Sequence, residues 1–201
     1  MNSRRIYATW DGAHMGSDLE LSQADLIVTF TGTPTDNHRM VRGTVGLSVD
    51  SGKVNYLVWG TETLDTDKAF VGVATADADL SATLGSDAFG VAYNLRTGEV
   101  TCNGATLDTF APTPLGKLVR LIYDAPSQSI SLSIESTPIG TVLLPAANTS
   151  GTPNTWHPAA TISGTTAGGL QCWINAGQQD FPDSATSPLD GWWEPVPGLD
   201  N

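Results

Sequence analysis

The sequence predicts an all-β chain whose antiparallel strands pack as a two-sheet sandwich. Three observations carry this. Apolar and polar residues alternate with period two in many short stretches, and no long stretch repeats with helical period. Glycine (21) and proline (12) are frequent and punctuate those stretches. Hydrophobic residues make up 40% of the chain and charged ones only 15%, so a sizeable core can be buried. Strands at turn-punctuated spacing give a sandwich or barrel. The sandwich is expected over residues 1–181, with 182–201 as a C-terminal tail.

The elements follow in chain order. Residues 26–30, 40–47, 54–59 and 70–74 each read as a strand, apolar and β-branched at alternating positions. Residues 89–93 and 99–102 form a hairpin across Arg96-Thr97-Gly98, and Asn103-Gly104 then supplies the strongest short turn dipeptide. Residues 117–123 pair with 129–135 through a loop at 124–128. The second of these is the clearest case. Ile130, Leu132 and Ile134 share one face, and Ser129, Ser131 and Ser133 share the other, predicted to be solvated. Residues 140–144, 159–162 and 170–175 complete the set. The Ser/Thr/Gly/Asn/Pro-rich stretch 146–155 reads as an exposed loop.

Composition narrows the function. The net charge is −12, and no Lys or Arg follows Arg120. Nucleic-acid binding needs a cationic footprint that releases counterions, and none is present. Anionic membrane surfaces are disfavoured for the same reason, and no apolar run is long enough to span a bilayer. The opening residues carry Arg4 and Arg5 with no apolar stretch behind them, so a secretory signal is not expected and synthesis in a host cytoplasm is. Cys102 and Cys172 form neither a disulfide framework nor a zinc pattern. Alternation sets Cys172 beside Leu170 and Ile174 as a buried free thiol.

The order of motifs resembles the SPRY domain family. Ser51-Gly52-Lys53 leads into Val54-Asn55-Tyr56-Leu57-Val58-Trp59, and Phe70-Val71-Gly72-Val73-Ala74 follows. Next come Phe89-Gly90-Val91-Ala92-Tyr93, Gly98 and Asn103-Gly104, then 116–124 and 131–140. His157-Pro158-Ala159-Ala160 and the run from Ile174 to Phe181 match the family's closing signature. The resemblance covers residues 10–181. Lys117 and Ala176 stand where the family has Asp and Phe, and the Asn-Gly of the late hairpin is missing. The resemblance implies a concanavalin-like bent sandwich that binds other proteins through loops at one end. Stand-alone domains of this kind look like bacteriophage virion proteins, and the Gly/Ser/Thr-rich composition fits them.

No catalytic or metal site is expected. His14, His38 and His157 are isolated in sequence, without a second ligand at metal-binding spacing. No nucleophile elbow or phosphate-binding glycine loop occurs. The pairs Asp18/Glu20, Asp65/Asp67 and Asp77/Asp79 have strand spacing but read as turn and surface acids, not as a glycosidase pair. Asp87-Ala88-Phe89 begins like a calcium-lectin loop but lacks the Asn. Trp10, Trp59 and Trp173 fall in strand patterns as core or sheet-face residues, and Trp173 is a candidate for a binding face. Trp156-His157 ends the 146–155 loop and is a candidate for partner binding, or for packing back on the sandwich. Trp192-Trp193, between prolines, is the best anchor candidate, either on a partner chain or folded back on its own sandwich.

The expected function is non-enzymatic, with no cofactor: a virion structural protein, in capsid decoration or a tail or fibre. Its expected partners are other virion proteins, in a homo-oligomer or symmetric lattice. The alternative is a lectin-like module at a receptor-binding tip, with tryptophans stacked on a host surface glycan.

Overall fold

The computed structural model describes residues 8–32, 38–46, 53–61, 68–114, 117–124, 126–135, 137–145, 155–163 and 171–175. The tail at 182–201, with Trp192 and Trp193, and most of the 146–155 loop lie outside them. The strands are β1 (Trp10–Met15), β2 (Leu19–Ser22), β3 (Ile27–Phe30), β4 (Arg39–Gly43), β5 (Lys53–Thr61), β6 (Lys68–Ala74) and β7 (Gly90–Asn94). They continue with β8 (Glu99–Cys102), β9 (Ala105–Thr109), β10 (Leu118–Asp124), β11 (Ser129–Ile134), β12 (Thr137–Leu143), β13 (His157–Ser163) and β14 (Gln171–Asn175). Among the described residues there is no helix.

The strands form two seven-stranded sheets. Sheet A runs β1-β4-β13-β6-β7-β8-β9, and sheet B runs β12-β11-β10-β5-β14-β3-β2. Every pairing is antiparallel, as in β10 on β11, where Leu121 faces Leu132. The expected alternation holds on the core side. Val119, Leu121 and Tyr123 of β10 and Ile130 and Leu132 of β11 enter the main core from sheet B. Val71 and Val73 of β6 with Val91 and Tyr93 of β7 meet them from sheet A. Trp10 is fully buried, and its Nε1–H donates to the Cys172 carbonyl at 3.3 Å, joining the two sheets. Cys172 is a buried free thiol, as expected. Burial raises its pKa far above the ordinary thiol value, so it stays protonated.

Two sequence signals map directly onto geometry. Asn103 (φ 52°) and Gly104 (φ 69°) both take left-handed backbone angles, the requirement of a two-residue turn that matches strand twist. Gly140 is required for another reason: a Cβ there would overlap the ring of Phe110, which closes the sandwich between β9 and β12. One expectation fails. Ser129 and Ser133, placed on the solvated face of β11, are buried, whereas Ser131 is only partly so. Ser129 and Ser127 hydroxyls bond each other at 2.7 Å, and β10 and β12 flank the short side chains on both sides.

The outer face of sheet A carries a second, smaller core. Met40, Ala74, Ala92 and Ala159 point away from the main core and are covered by Ala78, Leu80, Leu84 and Phe89. The cover is the connection between β6 and β7, residues 75–89. It is fastened by backbone bonds from Met40 N–H to the Leu80 carbonyl at 3.0 Å and from Gly104 N–H to the Gly85 carbonyl at 2.9 Å. The Leu84 N–H donates to the buried Thr161 Oγ1 at 2.9 Å.

Candidate functional site

At one corner of sheet A, residues from three strands converge. Edge strand β1 pairs with β4 through Trp10 and Gly43, and again through Met15 and Val41. Four residues of β1 therefore oppose one of β4, so Asp11 to His14 bulge outward. A bulge re-aims side chains that a regular strand would alternate. Here it folds on itself: the Ala13 N–H donates to Asp11 Oδ1 at 2.9 Å, and His14 Nδ1–H donates to Oδ2 at 2.8 Å. The His14 ring is half-exposed.

Behind the bulge lies Arg42 of β4, on the same outward face as Met40. It is 5% exposed. Its Nη1–H donates to the Thr75 carbonyl at 2.8 Å, where the covering segment begins. Its Nε and the Thr75 Oγ1 are buried without hydrogen-bond partners among the described residues. Burial lowers the guanidinium's pKa, and the charges of Asp11 and Asp77 oppose that shift. An unscreened buried cation would be costly, and these two carboxylates supply its countercharge.

His157, at the start of β13, completes the corner. Its Nδ1–H donates to the Gly43 carbonyl at 3.0 Å. The ring passes so close to Gly46 that a Cβ there would overlap it. Burial lowers the His157 pKa, Arg42 and His14 lower it further, and the Gly43 bond and Asp11 act the other way. Asp11 is itself held below the usual carboxylate range, first by the His14 bond. The corner thus presents a carboxylate and an imidazole to solvent, with a buried guanidinium and a neutral imidazole behind them. Among the described residues no hydroxyl or thiol is hydrogen-bonded to the free nitrogen of His14, and no cluster of metal-ligating side chains occurs. The arrangement offers charge-assisted donors and acceptors to a partner surface.

The residues singled out in the sequence are dispersed. His157 sits in this corner. Trp156, next to it, is 1% exposed and belongs to the main core, with its Nε1 unpartnered among the described residues. Trp173 lies in β14 opposite Trp59 of β5. Trp192 and Trp193 are outside the described residues. Asp79 and Asp87 prove to be turn acids: Asp79 Oδ1 accepts from the Ser81 N–H at 2.9 Å, and Asp87 Oδ1 from the Phe89 N–H at 2.9 Å. Sequence reading missed Asp11, His14 and Arg42 as a group with His157. Only the pairing of β1 with β4 and β4 with β13 brings them together.

No family model and no curated protein matches the sequence. Solved structures do match the fold. The SPRY domain of human HERC1 superposes with a TM-score of 0.66 at 16% identity, over 85% of this chain and 99% of that one. A human SPRY domain gives 0.63 at 14% identity, over 83% and 99%. Stonustoxin gives 0.62 at 17% identity, but this chain spans only 27% of it. With two seven-stranded antiparallel sheets in this order and these likenesses, the chain has a SPRY-like β-sandwich fold.

Proposed function

We propose that this chain is a non-enzymatic docking module that binds another protein through the β1–β4–β13 corner. The observation that carries the reading is the bulge of β1, which holds Asp11 and His14 out as a hydrogen-bonded pair over the buried Arg42. Such a pair offers directional, charged contacts, while the sandwich behind it stays rigid. The SPRY-like fold supports the reading by analogy, since folds host many functions. The setting we propose is a bacteriophage virion, as a capsid decoration or a tail or fibre component. The Gly/Ser/Thr-rich, strongly acidic composition favours that setting. The glycan-binding alternative relied in part on Trp156 stacking on a sugar, and the enclosure of Trp156 favours docking to protein instead.

The test is co-sedimentation of the full chain with phage particles, alongside size-exclusion chromatography with light scattering. Binding that drops at least tenfold in Asp11→Ala/His14→Ala, with thermal stability retained, is the expected result. A stable monomer with no affinity for any virion component would sink the virion setting. Binding untouched by the double substitution would move the docking surface elsewhere.

A further inference from the structure

Asn103-Gly104 is the only Asn-Gly step in the chain. Both residues are exposed, in the two-residue turn between β8 and β9. Asparagine is a chemically labile side chain. Its amide is most vulnerable before glycine, where no Cβ on the next residue hinders approach of that residue's backbone nitrogen. In the folded chain the covering segment 75–89 holds this backbone on both residues. The Asn103 N–H donates to the Asp87 carbonyl at 2.8 Å, and the Gly104 N–H donates to the Gly85 carbonyl at 2.9 Å. The Cys102 thiol adds a longer contact to the same Asp87 carbonyl at 3.9 Å. The holding segment is itself fixed at both ends of this contact. Leu84, beside Gly85, is fully buried, and its N–H donates to Thr161 Oγ1. A Cβ on Gly85 would lie 2.7 Å from the Thr101 carbonyl oxygen, so the segment seats directly on β8. Asp87 accepts from the Phe89 N–H at 2.9 Å and from the Asp79 N–H at 3.3 Å.

We infer that Asn103 is a site of spontaneous deamidation that the 75–89 cover holds back, so that the turn is modified when the cover lifts. The Gly104 nitrogen gives its proton to solvent base and attacks Asn103 Cγ. A nitrogen–Cγ bond forms and the Cγ–Nδ2 bond breaks. The amide nitrogen takes a proton from solvent and leaves as ammonia. Water then opens the five-membered imide at either carbonyl, giving aspartate or an isoaspartyl linkage. With the cover in place two things oppose the first step. The proton that must leave Gly104 is engaged with the Gly85 carbonyl. The nitrogen must also rotate toward Cγ, which the two bonds to the cover and the pairing of Cys102 with Ala105 resist. The products differ in consequence. Either one adds a carboxylate to a chain of net charge −12. The isoaspartyl form also adds a methylene to the main chain of a turn whose geometry suits two residues, which disturbs the β8–β9 pairing.

This inference does not rest on the docking function proposed above. It is tested by ageing the full chain in mildly alkaline buffer beside a synthetic peptide of residues 98–109, with conversion at residue 103 read by peptide mapping and mass spectrometry. The peptide should convert at least tenfold faster than the folded chain. Equal rates, or no conversion in the peptide, would overturn the inference. Leu84→Ala loosens the cover and should raise the rate in the full chain at least threefold, with faster amide exchange at Gly104. Thr161→Val is the milder second variant, and it decides the matter where Leu84→Ala fails to fold; its rate should also rise, by a smaller factor. Unchanged rates in the folded variants would show that the turn opens without the cover, and would overturn the inference. In every folded form conversion should run faster than the peptide rate multiplied by the globally unfolded fraction from denaturation, because the cover lifts while the sandwich stays folded. A rate equal to that product would assign the opening to global unfolding and overturn the role of the cover.

Discussion

The two sheets differ in how their neighbouring strands are connected. Sheet A is covered by residues 75–89, which connect two neighbouring strands, β6 and β7, and so close over their own sheet at small sequence separation. Hydrogen bonds to Met40, Thr161, Arg42 and Gly104 fasten that cover along its length. The centre of sheet B is assembled from β10, β5, β14 and β3, strands far apart in the chain. The difference shows that a face can be closed locally by a hairpin connection, whereas β10, β5, β14 and β3 are joined in sequence to strands other than one another and share no such connection. It also places the rigid support for the Asp11/His14 corner on the sheet A side, through Arg42 and Thr75.

The sharpest way to break this comparison is to remove the centre of the cover. Leu84 is fully buried in the second core. Leu84→Ala should cost about 2–5 kcal/mol, from lost burial and the cavity left behind. Equilibrium urea denaturation measures it. A cost under about 1 kcal/mol would mean that the cover contributes little and that the two faces are energetically alike.

Thr161→Val probes the same cover through a single bond. The isosteric change removes the Oγ1 that accepts from Leu84 N–H and strands that donor in a dry site. The expected loss is about 1–3 kcal/mol, because an unmade buried bond costs its full desolvation. Faster amide exchange across residues 78–87, with the main core unchanged, would show that the cover opens as a unit.

His157 sharpens the comparison at the corner. Its folded-state pKa is lowered, mainly by burial, so the unfolded chain takes up the proton more readily. Stability from this group is complete above its unfolded pKa, near 6.5 in model peptides, and is lost as pH falls through the folded value. The wild type should therefore show a loss of stability on acidification from neutral pH that His157→Gln lacks. Thermal melts between pH 7.5 and 5 measure it, and parallel profiles would remove His157 from the account.

Most of the sandwich was legible in the sequence because half-buried strands record their burial as alternation. Ile130, Leu132 and their Ser neighbours announced β11, and Asn103-Gly104 announced its turn. Three strands, β1, β2 and β9, went unread, and in two of them the structure shows why. In β1 the bulge after Trp10 breaks the period, so Asp11-Gly12-Ala13-His14 reads as a loop. In β9 all five residues are exposed, so there is no buried face for a pattern to report. The candidate site was half legible. His157 stood out, but its partners Asp11, His14 and Arg42 lie on strands far earlier in the chain, and histidines that look isolated in sequence are neighbours only through sheet order. Burial of Ser129 and Ser133 was illegible for a related reason: alternation fixes which face a residue takes, but not how closely the flanking strands crowd it.

The smallest expected effect tests the other sheet. On the outer face of sheet B, the Ser131 hydroxyl is 2.8 Å from Thr141 Oγ1, in an exposed setting. Ser131→Ala removes that bond, but water can replace the partner for Thr141. The change in stability should stay within about 0.5 kcal/mol, as for surface substitutions generally. Thr161→Val on sheet A removes one hydroxyl acceptor too, and its cost should be several times larger. The ratio of the two, measured under one set of denaturation conditions, reports the difference in cover between the faces directly. Equal costs would mean that the surroundings of Ser131 are as dry as the underside of residues 75–89.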